Sequence, residues 1–149
     1  MVDGRDWAFE ARFGSSGPLV ASADLKPLSM SDSQPLRGGE LNAAVTREVI
    51  RIQSESHGRG PKKAFSFHNG NVLVTVLEEV LSPAERKLAG NGQGEAVLKI
   101  RRLYQSTVAA EMKERIEAVT GRRVTALMSD NHVDPDMAVE VFILDRPLT

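Results

Sequence analysis

An Asn-Gly dipeptide, Asn69-Gly70, separates two short segments of strand-forming residues at positions 64–67 and 72–77. Asn and Gly tolerate the positive φ angles that both central residues of a type I′ turn require, so this pair readily joins antiparallel strands. The sequence therefore predicts a β-hairpin with Asn69-Gly70 at its turn. A chain with such a hairpin must contain antiparallel sheet.

Helical patterns flank this hairpin. Before it, an apolar stripe begins near Gly39, and Gly58 follows at the left-handed position that ends many helices. After it, Ser82 precedes Pro83 at the first helical position and Glu85 three residues beyond the cap, which is the pattern of a capping box. The apolar stripe of the first helix comprises Leu41, Val45, Val49 and Ile52.

The glycine-rich segment 90–94 favours a hinge between two helices, because it matches neither the P-loop nor the dinucleotide-binding pattern. A long amphipathic helix follows and ends at Thr120-Gly121, and two strands are predicted at 123–129 and 137–144. The stripe of the long helix comprises Val97, Ile100, Tyr104, Val108, Met112, Ile116 and Val119. In the last strand Val139, Val141 and Ile143 alternate with Ala138, Glu140, Phe142 and Leu144.

The predicted element order is α-β-β-α-α-β-β. Such elements build most simply into an α+β two-layer sandwich, a four-stranded antiparallel sheet of two hairpins with helices on one face. Residues 39–149 form this single domain, and residues 1–38, rich in Gly, Ser and Pro, form a flexible N-terminal arm. Because the uncovered face also carries apolar residues, we expect a second subunit to cover it and the protein to be a homodimer.

Composition excludes several classes of function. The chain has 149 residues with 19 Lys and Arg against 20 Asp and Glu, so no overall positive charge attracts nucleic acid or acidic lipid. Without cysteine it forms no disulfide, thiol nucleophile or cysteine-bound metal site. The longest apolar run is far shorter than the roughly 20 residues of a transmembrane helix, and no signal peptide is recognisable. We expect a cytoplasmic protein that does not span a membrane.

The segment 57–63 is a candidate site for a small anion or a nucleotide phosphate, because it combines basic side chains with glycines and contains no acidic residue. The alternative is a solvated turn between a helix and a strand. Phe65 and Phe67 alternate as core residues do, so we expect no stacking platform for nucleic acid. The candidate residues are Arg59, Gly60, Lys62 and Lys63, with Arg122 as a more distant addition.

Other polar clusters point less clearly to a ligand. The loop 130–136 departs from the calcium-loop pattern, so we expect no metal there and note only weak candidates: Asp130, His132, Asp134 and Asp136. Arg101 and Arg102 give the long helix a basic side that either contacts an acidic partner or headgroup or is simply solvated. The three histidines lie in separate turns and no catalytic motif is present, so we expect neither an enzyme nor a cofactor.

Four segments, in order along the chain, resemble the MpsC-like family of small bacterial domains, which includes YbcI-like proteins. They are Gly60-Pro61, residues 77–85, residues 116–122, and Ser129-Asp130 followed by residues 140–145. The resemblance covers about residues 39–145. It implies a soluble accessory or regulatory protein of a sodium-translocating, membrane-potential-generating system linked to cation or bicarbonate transport, whose membrane subunits are other proteins. It implies no catalytic residues.

Two hypotheses of function follow. The first is a cytoplasmic, homodimeric interaction module that docks on membrane transport subunits. The alternative is a regulatory module that binds a small anion or a nucleotide.

Overall fold

Three helices and four strands make up the computed structural model, which describes residues 35–148. Residues 1–34, most of the predicted arm, lie outside the described residues. The elements are α1 (Gly38–His57), β1 (Lys63–Asn69), β2 (Val72–Glu78), α2 (Pro83–Leu88), α3 (Gly94–Thr120), β3 (Val124–His132) and β4 (Met137–Leu144). The strands form one antiparallel sheet in the order β1-β2-β4-β3. The predicted α+β class and element order are therefore confirmed.

The hairpin forms as predicted, but its turn lies one residue further along the chain. Asn69 pairs with Val72, so the two-residue loop is Gly70-Asn71. Gly70 has φ 60°, whereas Glu79 is the one non-glycine residue among those described that has a positive φ. A positive φ at the first loop residue alone is the type II′ pattern, which requires glycine at that position. The prediction of a type I′ turn at Asn69-Gly70 is wrong in this detail.

The predicted helix boundaries agree with the structure. Gly58, at φ 74°, ends α1, and its N–H donates to the carbonyl of Ser54. At the start of α2, the Glu85 N–H donates to Ser82 Oγ, and the Ser82 N–H donates to the Glu85 carboxylate, which completes the capping box. A π-helical stretch follows, in which Gly92 has φ 80°. This stretch is the predicted hinge between α2 and α3.

The long helix α3 buries a different stripe from the predicted one. Val97, Met112 and Ile116 are buried as expected, but Ile100 and Tyr104 are 46% and 44% exposed. Arg101 is buried in their place, 2% exposed. The reason is geometric, because each residue turns the helix by about 100°, which puts Ile100 on the flank of the face that Val97 and Arg101 share.

Both α1 and α3 pack on one face of the sheet, and their apolar residues form the core with inward-pointing residues such as Leu73 and Phe142. One row across this covered face has a polar residue in each of the four strands. Cross-strand pairing aligns Ser66, Thr75, Glu140 and Ser129. Ser66 and Thr75 share a hydrogen bond of 2.7 Å, and Ser129 Oγ donates to Glu140 Oε2.

The other face of the sheet is called here the open sheet face, and its central row is apolar. Its central row is Phe67, Val74, Val141 and Met128, of which Phe67 and Met128 are 45% and 53% exposed. None of these side chains belongs to the core that the described helices cover. The open sheet face comprises this row with Phe65, Val72, Val76, Ala126, Met137, Val139 and Ile143.

Candidate functional site

A cleft lies where the end of α1, the segment between β2 and α2, and the first half of α3 meet. Its volume is about 180 Å³. The glycine hinge between α2 and α3 interrupts the helical backbone at Asn91 and Gly92, and beyond it Arg101 of α3 contacts Glu85 of α2. The lining residues are Ser56, His57, Arg59, Val80, Ser82, Glu85, Arg101 and Tyr104.

Arg101 forms the buried wall of this cleft. Its Nε and Nη2 donate to the two carboxylate oxygens of Glu85 at 3.1 and 2.8 Å, and Nη2 also donates to the Val80 carbonyl at 2.7 Å. This forked pairing holds the guanidinium plane in one orientation. Within residues 35–148, Nη1 is the guanidinium nitrogen that has no hydrogen bond.

Glu85 serves the capping box and Arg101 at the same time. Burial by itself would raise the pKa of Glu85, but the hydrogen bonds from Arg101 and Ser82 outweigh it and hold the pKa below its usual value. Glu85 is therefore ionised at neutral pH, and Arg101 keeps a counter-charge.

His57 lies beside Arg101 as a neutral imidazole. Burial, and then the positive charge of Arg101, lower the pKa of His57. Its Nδ1 donates to the Gln53 carbonyl at 3.2 Å, so Nε2 carries the free lone pair. This Nε2 is enclosed and has no hydrogen-bond partner among the described residues. The ring also contacts Tyr104, with centroids 4.9 Å apart.

The structure separates the predicted anion-binding residues. Arg59 lines the cleft, and Gly60 beside it lies against α1, where an added Cβ would come within 2.7 Å of Ser54 Oγ. Lys62 pairs with Glu79 at 3.4 Å. Lys63, at the start of β1, does not line the cleft. Neither does Arg122, which follows α3 and donates to the Pro147 carbonyl. Arg59 alone carries the predicted charge into the site.

The prediction of a basic surface at Arg101 and Arg102 is wrong for Arg101, which is buried and paired. Arg102 next to it is exposed. The sequence does contain one signal, since Val97, Arg101, Val108 and Met112 follow each other at helical spacing. An arginine within an apolar stripe indicates a buried ion pair when an acidic residue can reach it.

Three side chains of loop 130–136 form hydrogen bonds with the loop itself or with a neighbouring segment. Asp136 accepts hydrogen bonds from the backbone N–H groups of Val80 and Leu81, at 3.0–3.2 Å. His132 contacts the Pro135 carbonyl, and Asp130 accepts from the N–H of Asn131. Across residues 35–148, no group of three or more His, Asp or Glu residues lies close enough together to hold a metal ion.

These features define the chain as a two-layer α+β domain with an open sheet on one side and an arginine-lined cleft among its helices. The family model described as "Na+-translocating membrane potential-generating system (MpsC)" matches residues 37–146. The chain belongs to this MpsC family, so the resemblance seen in the sequence is confirmed.

Comparison with curated proteins adds one relative. The uncharacterized protein YrhF of Bacillus subtilis (strain 168) is 28% identical over 104 residues, which are 68% of this chain and 85% of YrhF. No solved structure matches the chain significantly. In the part of the chain that the structure describes, no helix is both long and apolar enough to cross a membrane.

Proposed function

We propose that this domain is a non-catalytic interaction module that works as a homodimer, with two open sheet faces packed together. We further propose that it is a cytoplasmic accessory of a membrane transport system. The open sheet face is the observation that carries the proposal. Its centre consists of large apolar side chains that no described helix covers.

The size of this face fits an interface. Four strands about 4.8 Å apart, each with about seven residues at roughly 3.4 Å, give a footprint on the order of 450 Å². The largest apolar patch on a typical monomer is about 300–600 Å² and is often functional, so a face of this size is a candidate contact surface. Side chains that stand on the sheet add area, which brings the face close to the roughly 600 Å² per partner at the lower limit of stable interfaces.

The distribution of charge favours a second copy of this chain as the occupant. Charged side chains lie only toward one end of the face, where Lys63 and Glu78 share a row with His132, and Asp130 lies in the next row. The face therefore has no basic surface for acidic lipid or nucleic acid. Two sheets that pack with their strands roughly aligned, about 10 Å apart, would bury the apolar centres of both copies.

The family description supports the link to transport. It names a Na+-translocating, membrane-potential-generating system. An accessory protein needs no membrane span of its own, so the membrane subunits of such a system would be other proteins. The dimer would offer them two identical helical surfaces.

Replacing Val141 with glutamate should convert the dimer to a monomer. Val141 lies in the central row, so the new carboxylates would be desolvated in the interface but hydrated in the free domain. Light scattering after size exclusion should give twice the 16.2 kDa chain mass for the wild type and the single mass for Val141→Glu. Leu103→Glu is the matched control, since Leu103 is 62% exposed on α3 and away from the sheet.

Circular dichroism should show that both variants keep the native fold. A monomeric wild type, or dissociation by Leu103→Glu in place of Val141→Glu, would overturn the proposed interface. Dimerisation that appears only after removal of residues 1–34 would show that the chain's own N-terminal segment occupies the face.

The link to transport has a separate test in cells. A strain without this protein should have a smaller Na+-dependent membrane potential, measured with a potential-sensitive dye. Wild-type protein should restore the potential, and the Val141→Glu variant should not. An unchanged potential in the deletion strain would contradict the link to transport but not the dimer, which light scattering measures independently.

A further inference from the structure

We infer that the cleft between α1, α2 and α3 binds a small oxyanion, held by Arg59 and by the Nη1 edge of Arg101. This site lies on the helical side of the sheet, away from the open sheet face. It therefore goes beyond the proposed interaction module and does not depend on it.

The charge of the cleft favours an anion. Two arginines and one glutamate line it, which leaves one positive charge because His57 is neutral. The neighbouring Glu79 is paired with Lys62, and Arg59 forms no ion pair within residues 35–148. A bound anion would therefore supply the counter-charge that the described protein does not.

Arg101 is oriented before any ligand arrives. Its Nε and Nη2 are held by Glu85 and the Val80 carbonyl, and the residue is 2% exposed. Nη1 therefore offers its N–H groups to the cleft without further loss of side-chain entropy. A fixed arginine binds a planar or tetrahedral oxyanion more favourably than a freely moving one.

Tyr104 adds a hydroxyl to the lining of the cleft, and this residue is 44% exposed. The volume of about 180 Å³ is below the roughly 300 Å³ at which sites for drug-sized ligands begin. A small carboxylate, phosphate or sulfate fits these limits, and a whole nucleotide does not.

The test is an NMR titration of the full chain that follows the ring signals of His57, assigned by their loss in His57→Asn. Potassium phosphate, sulfate and acetate are added separately at neutral pH, with potassium chloride at matched ionic strength as the reference. We expect a saturable shift with a dissociation constant on the order of 1 mM for at least one oxyanion.

Two variants distinguish anion binding in the cleft from nonspecific attraction to the basic residues nearby. Arg59→Gln should weaken binding at least about tenfold, because it removes the ligand-facing charge. Lys63→Gln removes one charge from the same segment but does not line the cleft, and should keep the wild-type affinity. Lys63 is exposed, and Arg59 is half-buried in a loop without an ion pair within residues 35–148, so both variants should fold.

Three outcomes would overturn this inference. One is a linear response to every salt, chloride included, which indicates ionic strength alone. The second is an equal loss of affinity in Arg59→Gln and Lys63→Gln, which indicates diffuse attraction to basic residues. The third is the absence of a saturable response to all three oxyanions.

Discussion

Replacing Arg101 with methionine should lower the free energy of unfolding by about 3 kcal/mol, because it leaves a partly buried carboxylate without its partner. Glu85 loses both of its hydrogen bonds from the guanidinium, and the Val80 carbonyl loses its side-chain donor. Methionine replaces much of the volume of arginine, so the loss measures the polar contacts more than a cavity. Urea denaturation followed by circular dichroism provides the measurement.

Arg102→Met is the matched control, one residue further along the same helix and exposed, and should change stability by less than about 0.5 kcal/mol. The double variant Arg101→Met/Glu85→Gln should lose less than the sum of the two single variants, since each single change leaves the other partner uncompensated. Additive losses would show that the pair does not act as a unit, and equal losses for Arg101 and Arg102 would contradict the buried position of Arg101.

This ion pair illustrates the limit of prediction from the sequence. The capping box at Ser82 and Glu85 is a local pattern, and the sequence predicts it correctly. The partner of Glu85 lies 16 residues away, across the glycine hinge, and no local pattern encodes that contact. The same holds for the cleft, because it forms only when α1 and α3 come together. The sequence predicts Arg59 as an anion-binding candidate in segment 57–63 but does not predict that Arg101 lies beside it.

The sheet shows a similar division between local and distant information. Asn69-Gly70 indicates a hairpin, but both Asn69-Gly70 and Gly70-Asn71 fit a tight turn. The register that aligns Val72 with Asn69 on one side and Ile143 on the other leaves Gly70-Asn71 as the loop. Local propensity therefore predicts that a hairpin forms, and pairing with a third strand determines where it turns.

Which face of the sheet the helices cover was also beyond the sequence. The alternation in β4 assigns its residues to two faces, and the structure confirms that separation. One face contains Ala138, Glu140, Phe142 and Leu144, and the other contains Val139, Val141 and Ile143. Both faces carry apolar residues, so alternation alone could not tell the covered face from the open one. The helices cover the face that contains Glu140, and a carboxylate is thereby enclosed in the interior.

Burial raises the pKa of Glu140 to about 7, and the hydrogen bond from Ser129 offsets this only in part. The residue is 1% exposed, and its Oε1 has no partner among the described residues. In the unfolded chain the same carboxyl group titrates near its ordinary value of 4.5. Between these two values the unfolded chain releases the proton while the folded domain keeps it, so a rise in pH favours unfolding.

Glu140→Gln should therefore gain stability relative to the wild type as the pH rises from about 4.5 to about 7, by a total of about 3 kcal/mol, and then keep a constant difference. Below that range both side chains are neutral, so the two proteins should differ little in their free energy of unfolding. Urea denaturation at a series of pH values measures it, and Glu114→Gln on the exposed surface of α3 controls for the loss of one negative charge. His57 and Glu85 titrate alike in wild type and variant, so their contributions cancel in the difference. A difference that does not change with pH would show that Glu140 is ionised in the folded domain, and that the polar row of the covered face compensates its charge.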